Sequence, residues 1–185
     1  TFAYISICNM DKVSIYVIQE KGVETLISNM LGKESFYNEI LKLNTIDFEG
    51  DTFISQSILP TKVGYGDGYS ILISDFLTPN DYEAAIDLFA SKKRDIMCCQ
   101  VMSNEELNPA QRGKVLLFDS ENHDRTYKKN INRDVLRAYR EAIEYITNGM
   151  RTLCQSRGGQ YMLVTPETDM QELFLAKLPE MEVVK

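Results

Sequence analysis

The sequence lacks the features of several large protein classes. No apolar run in its 185 residues approaches the length of a membrane span. The first residues, TFAYISICNMDK, have neither the basic start nor the small-residue cleavage site of a signal peptide, and no Asn-x-Ser/Thr site occurs. We therefore expect a cytoplasmic protein without a membrane span in this chain, whose membrane association, if any, would come through upstream segments.

Positive charge is scarce as well. Lys and Arg number 20 against 27 Asp and Glu, so the formal net charge is −7. Proteins that bind nucleic acids or anionic membranes use clustered Lys and Arg to replace counterions. The charge balance therefore predicts that nucleic acid is not a partner.

Side chains that serve as nucleophiles or bases are few. His123 is the only histidine, it lies in a polar stretch, and no Ser elbow accompanies it. The cysteines include one adjacent pair, Cys98 and Cys99, and no Cys-x-x-Cys spacing. Consecutive strand residues point to opposite faces, so Cys98 and Cys99 cannot bind one metal together. We expect buried, inert thiols in a reducing compartment. The sequence predicts a protein that is not an enzyme.

What is present is the composition of one globular domain, which we assign to residues 1–185, with alternating strand and helix patterns. Helices are predicted at 1–9, 34–43, 52–59, from Thr78 onwards, at 132–157 and at 169–178. Strands are predicted at 13–20, 69–74, 95–102 and 160–165. This alternation predicts an α/β fold with a mainly parallel sheet flanked by helices.

Two further segments carry specific predictions, a hairpin and the buried face of the long helix. Residues 114–119 and 124–130 flank a polar turn at 120–123 and predict a β-hairpin inserted near 114–130. For the long helix at 132–157, helical spacing predicts a buried face. That face consists of Val135, Tyr139, Ala142, Ile143, Ile146, Met150 and Leu153.

One apolar run, Ile71-Leu72-Ile73, ends on a carboxylate, Asp75, just before a turn and a helix. Ligands of parallel α/β sheets bind beyond the carboxyl ends of the strands. Asp75 could accept backbone N–H groups in the turn, or it could bind Mg²⁺ or Mn²⁺, which prefer oxygen ligands. Thr52, in the stretch GDTF, could supply a second oxygen. The residues alone leave both interpretations open.

A family resemblance adds to this pattern. The stretches GDTFISQSI and YSILISDFL resemble the second and third motifs of a von Willebrand factor A domain, in which a Thr and an Asp help hold the metal of the metal-ion-dependent adhesion site. Three further stretches resemble the bacterial family called domain of unknown function 58, whose members carry such a domain and are often encoded beside MoxR-type AAA+ ATPases. These stretches are DYEAAIDLFASKKRDIMCCQVMSNEELNP, GKVLLFDSENHDRTYKKNINRDVLRAYREAI and LCQSRGGQYMLVTPETDMQELFLAKL.

The resemblance covers nearly the whole chain from Phe2, and its best signature combines Ser74-Asp75-Phe76 with the stretch from Glu105 to Asp119-Ser120-Glu121. The first family motif, Asp-x-Ser-x-Ser, is not found in these residues. The resemblance therefore implies a Rossmann-like von Willebrand factor A domain truncated at its amino terminus, with the first strand missing.

This truncation leads to two expectations. Metal binding through Thr52 and Asp75 would be absent or weak in this chain, although Mg²⁺ or Mn²⁺ would bind the complete domain. A homodimer or a strand swap could fill the place of the missing strand, because an open sheet edge invites pairing.

The function implied by the resemblance is a non-enzymatic, divalent-metal-dependent protein-interaction domain acting with a MoxR-type AAA+ ATPase or its client. Two alternatives stay open. One is a phosphoryl-transfer enzyme with a strand-end Asp, although the later strand ends, VMSN and VTP, offer neither the acids nor the Lys that this chemistry needs. The other is a metal-free scaffold in which Asp75 caps its turn.

Overall fold

The structure, a computed structural model, describes residues 1–19, 22–46, 63–77, 82–118 and 126–178. Its α-helices are α1 (Phe2–Cys8), α2 (Gly32–Glu39), α3 (Tyr82–Ser91), α4 (Asn104–Leu107), α5 (Arg133–Ser156) and α6 (Met170–Glu172). Its strands are β1 (Val13–Gln19), β2 (Gly22–Met30), β3 (Tyr69–Ser74), β4 (Asp95–Val101), β5 (Gly113–Phe118), β6 (Thr126–Ile131) and β7 (Gln160–Val164). A 3₁₀ segment (Ile40–Thr45) follows α2, and a π-helical segment (Leu173–Lys177) follows α6.

Three parallel strands form the central sheet, in the order β3, β4, β7. The middle strand, β4, is buried from Ile96 to Gln100, because both faces of the sheet are covered. On one face Cys98 packs in a core with residues of α3 and α5, and on the other Cys99 packs in a core with Leu173 and Leu178. The predicted burial of this strand on both faces is confirmed, as is the placement of the two thiols on opposite faces.

The prediction of a mainly parallel sheet is confirmed only for these three strands. The other four described strands form two antiparallel pairs, β1 with β2 and β5 with β6. The β5–β6 pair confirms the predicted hairpin. Strand β2 was not predicted, because its side chains do not alternate regularly between buried and exposed positions, and the register of β1 with β2 shifts twice.

Helix α5 lies along β4 and β7. The prediction of its buried face is confirmed for Ile143 and Met150 and is wrong for Val135 and Ala142. The buried residues are Leu136, Ile143, Met150 and Cys154, whereas Val135 is 47% exposed and Ala142 is exposed. Among the described residues this sheet has three strands, and the buried residues of α5 form a narrow stripe along the helix. None of the described helices combines the length and apolar content that a membrane span requires.

The remaining helices differ from the predictions in their ends. Helix α2 begins at Gly32 and gives way to the 3₁₀ segment, and the segment predicted as helix at 169–178 is largely π-helical. Helix α4 was not predicted, although Ser103 and Glu106 form a capping box at its start. The helix predicted at 52–59, the predicted helix start at Thr78 and the hairpin turn at 120–123 lie outside the described residues.

Candidate functional site

Asp75 directly follows β3, at the carboxyl end of the parallel sheet. Its neighbour Ser74 pairs in register with Gln100 of β4, so Asp75 lies beside the end of the middle strand. The side chain is partly buried. This is the position that the sequence pattern predicts for Asp75, while its role as a metal ligand stays a prediction.

The carboxylate takes part in the turn through one oxygen. The Leu77 backbone N–H donates to Asp75 Oδ1 at 3.2 Å, and the Ser74 hydroxyl lies 3.4 Å from the same oxygen. The Phe76 backbone N–H donates to Ser74 Oγ at 3.1 Å. Within the described part of the chain, Asp75 Oδ2 accepts no hydrogen bond. Asp75 therefore stabilises its own turn with Oδ1, while Oδ2 makes no hydrogen bond to the described residues.

The turn also contains a backbone conformation that is unusual for a bulky side chain. Phe76 has φ of +55°, in the left-handed region, which costs an L residue about 1–2 kcal/mol. The Phe76 side chain is only 1% exposed, and its ring meets the Tyr82 ring edge to face at 5.0 Å. Burial of this aromatic side chain offsets the backbone cost.

A buried amide lies directly beneath the turn. Gln100 is fully buried, and its Nε2 donates to the Asp75 backbone oxygen at 2.6 Å and lies 3.4 Å from Met102 Sδ. Its Oε1 accepts from the Tyr161 hydroxyl at 2.5 Å. Burial raises the pKa of Tyr161, which keeps the hydroxyl protonated and able to donate. One hydrogen-bonded network therefore joins the residue after β3 to β4 and β7.

Neither Gln100 nor Tyr161 was predicted from the sequence as a site residue. A signal for Gln100 was nonetheless present, since it is the only polar residue in the stretch IMCCQVM, and a polar side chain in a buried strand needs a hydrogen-bond partner. Tyr161 carries no such signal, because its contact with Gln100 depends on how β4 and β7 pair.

Two exposed apolar side chains flank Asp75. Ile73, two residues before Asp75, is 61% exposed, and Val101 at the end of β4 is 42% exposed. Ile73 pairs in register with Cys99, which lies two residues before Val101, so the two apolar side chains share one sheet face. The carboxyl edge therefore combines a carboxylate with an apolar surface.

Thr52, the second predicted metal ligand, lies outside the described residues. So do Asp119, Ser120 and Glu121 of the family signature, and His123, for which no role is predicted. Glu105 lies on α4, whose capping box uses Glu106 instead. Across the described ranges, no group of three or more His, Cys, Asp and Glu side chains is arranged to hold a metal ion. In the turn itself, the side-chain oxygens that could act as metal ligands are those of the Asp75 carboxylate and the Ser74 hydroxyl.

A second surface feature is an open groove of about 540 Å³ between α3 and α5. Arg157 lines it and binds two carboxylates, Asp87 at 2.6 Å and Glu83 at 3.1 Å. The hydrogen bond to Asp87 is the main cause of a raised pKa for Arg157. Asp75, Gln100 and Tyr161 do not line this groove. Its one cationic side chain, Arg157, is already paired with two carboxylates, so the groove carries no proposal.

Comparisons with known proteins add little information about the function of this site. No known protein family matches the sequence, and no curated protein matches it. Among solved structures, the chain is similar to one described as the crystal structure of an uncharacterized membrane spanning protein from Vibrio fischeri, with 12% identity, 97% of this chain and 80% of that chain covered, and a TM-score of 0.29. A likeness at this TM-score supports no statement about fold or function, so the family of this chain is a matter for proposal.

Proposed function

We propose that this chain is a non-enzymatic protein-interaction domain of the von Willebrand factor A type, which binds a partner through a divalent cation held by Asp75. The observation that carries the proposal is that the two oxygens of the Asp75 carboxylate differ in their hydrogen bonds. Oδ1 accepts a hydrogen bond from the Leu77 N–H, while Oδ2 makes none to the described residues. Both oxygens lie at the carboxyl end of the parallel strands.

The cation that suits this edge is Mg²⁺ or Mn²⁺. Both ions prefer oxygen ligands, and Mg²⁺ usually keeps several waters while it binds one or two protein carboxylates. Asp75 would supply the carboxylate, with Ser74 close by and Thr52 as the second ligand that the family resemblance implies. Because this set is small, we expect weak binding, with coordination positions left for water and for a carboxylate of the partner.

A protein partner fits better than a small molecule. Ile73 and Val101 expose apolar surface next to Asp75, which an apolar side chain of a protein partner could cover. A partner segment with a carboxylate and a neighbouring apolar side chain would contact both features. By the family resemblance, we propose a MoxR-type AAA+ ATPase or one of its clients as the partner.

The proposal includes a truncated domain. In the described residues β3 pairs only with β4, so its other edge is open. The β1–β2 hairpin forms a separate sheet, yet Ile18 of β1 packs against the same core as β3, and Phe2 of α1 contacts Phe174 on the opposite face. We propose that one further strand, from an upstream segment or from a second copy of the chain, pairs with β3 beside this hairpin.

One observation favours a second candidate function, a metal-free scaffold. The Leu77 N–H bond to Asp75 Oδ1 is what a turn-capping Asp makes, and a cap needs no metal. The phosphoryl-transfer alternative has less support, because the described strand ends supply the hydroxyls of Ser103 and Thr165 instead of acids or a Lys. A phospho-Asp75 adduct after incubation with an aryl phosphate, detected by mass spectrometry, would favour that alternative.

The test is a calorimetric titration of Mn²⁺ and Mg²⁺ into the protein and two variants. Asp75→Asn keeps an oxygen for the Leu77 N–H but removes the charge, whereas Asp75→Ala removes both. If Asp75 holds a cation, both variants lose the binding heat. Asp95→Asn serves as the matched control, because Asp95 is an exposed carboxylate at the opposite end of β4. Equal heats for the protein and both Asp75 variants would contradict the metal site.

The partner is tested separately with a purified MoxR-type ATPase. We expect binding in the presence of Mn²⁺ that is lost with a chelator and with Asp75→Asn. Binding that is insensitive to the chelator would favour the metal-free scaffold instead.

A further inference from the structure

We infer that Gln100 is the positioning residue of this site: its buried amide holds the left-handed turn at Phe76 and thereby fixes the direction of the Asp75 carboxylate. What Asp75 binds rests on the proposed function, but the geometry of the turn does not. The two ideas can therefore fail independently.

The orientation of the Gln100 amide follows from its partners. The Asp75 backbone oxygen can only accept a hydrogen bond, so the atom 2.6 Å away must be the donor, Nε2. Oε1 then faces the Tyr161 hydroxyl at 2.5 Å, and that hydroxyl must donate. Because the Asp75 oxygen can only accept, the amide has one orientation, in which Nε2 donates to that oxygen and to Met102 Sδ.

The hydrogen bonds within the turn do not fix its position relative to the sheet. The N–H groups of Phe76 and Leu77 bind oxygens of Ser74 and Asp75, which belong to the same turn. The hydrogen bond from Gln100 to the Asp75 oxygen comes from another strand. The Phe76 side chain also packs in the core, where its ring meets the Tyr82 ring. Among the described hydrogen bonds, the one from Gln100 is the one that reaches Asp75 from another strand.

The backbone conformation explains why such a hold is needed. Left-handed φ at Phe76 is unfavourable, so the turn tends to relax unless surrounding contacts prevent it. A relaxed turn would move the Asp75 side chain relative to the sheet edge. A fully buried, fully hydrogen-bonded amide is suited to preventing this, since breaking its bond leaves the Asp75 carbonyl unsatisfied.

Tyr161 completes the network from β7. Its hydroxyl donates a hydrogen bond to Gln100 Oε1, and the Arg151 guanidinium lies over its ring at 5.2 Å from the centroid. Tyr161→Phe should therefore let the Gln100 amide move and weaken its hydrogen bond to the Asp75 oxygen, although Tyr161 makes no hydrogen bond to the turn.

The experiment is hydrogen exchange of backbone amides, measured by NMR, in the unmodified protein and three variants. Gln100→Met removes the donor with little change in volume, and Tyr161→Phe removes only the hydroxyl, which keeps the test open if the first variant does not fold. Ile86→Val is the matched control, because Ile86 is fully buried on α3 and lies outside the network. The amides of Phe76 and Leu77 report the turn, and that of Cys98 reports the core.

We expect exchange at Phe76 and Leu77 to accelerate about tenfold or more in Gln100→Met, beyond any change at Cys98, and by less in Tyr161→Phe. Ile86→Val should change all three amides together or not at all. Equal acceleration at the turn and the core in Gln100→Met, or none at the turn, would overturn the inference.

Added Mn²⁺ separates this inference from the proposed function. Paramagnetic broadening of the Leu77 signal in the unmodified protein, reduced in Gln100→Met, supports both. No broadening in the unmodified protein contradicts the metal site, whereas the exchange data still decide the role of Gln100.

Discussion

Phe76 provides a sensitive test of the turn, because two opposing effects meet at one residue. Its side chain is 1% exposed, which favours a large apolar residue, and its φ of +55° favours glycine. We therefore compare Phe76→Ala with Phe76→Gly. Alanine removes the burial and keeps the backbone cost, whereas glycine removes both.

Glycine is usually less stable than alanine, and the magnitudes predict the reverse order at position 76. Truncating a buried Phe to Ala costs about 3–5 kcal/mol, so both variants should be less stable than the unmodified protein. Glycine relieves the left-handed cost of about 1–2 kcal/mol but adds about 0.5–1 kcal/mol of backbone entropy. Phe76→Gly should therefore be more stable than Phe76→Ala, by about 0.75 kcal/mol at the midpoints of these ranges.

The assay is urea unfolding followed by far-UV circular dichroism, with Ala142→Gly as the control. Ala142 is exposed within α5, where a glycine should cost about 1 kcal/mol relative to alanine. The expected result is a gain from alanine to glycine at position 76 and a loss at position 142. If glycine is the less stable residue at both positions, the left-handed turn is wrong.

Two further predictions concern β3. Burial, with a smaller effect of Asp95, raises the pKa of Tyr69 from 10.0 to about 12, so the stabilisation from its protonated form is complete below pH 10 and is lost as the pH rises towards 12. The stability difference between the protein and Tyr69→Phe should therefore shrink over that range in urea unfolding, and a constant difference would contradict the pKa shift. Gly68→Ala should destabilise the protein by about 1–3 kcal/mol, because a Cβ there lies 2.6 Å from Arg94 Nη1 and would break the Arg94 bonds to Ser70 and Tyr69. Gly64→Ala, with 3.6 Å to the same atom, should change stability little, and equal effects would contradict this account.

The parts of the fold that sequence could predict are those set by local patterns. The apolar run 95–102 required burial on both faces, and β4 has it. The hairpin and the position of Asp75 after β3 also follow from short patterns. In contrast, the face of α5 depends on the width of the sheet beneath it, so Leu136 and Cys154 are buried while Val135 is exposed.

The candidate site shows the same division. Asp75 is visible in the sequence as a carboxylate that ends an apolar strand. The role of Gln100 is not, because it depends on the register that sets Ser74 opposite Gln100 and brings Tyr161 within reach from β7. The left-handed φ of Phe76 has no sequence signal either, since a glycine or asparagine would be expected there.

The central claim is that Asp75 Oδ2 holds a divalent cation, and the titration of Mn²⁺ tests it most directly. The account predicts a weak binding heat for the unmodified protein and for Asp95→Asn, and none for Asp75→Asn. The same heat in Asp75→Asn, or no heat in any of the three, would contradict the claim and leave Asp75 as a residue that caps its own turn.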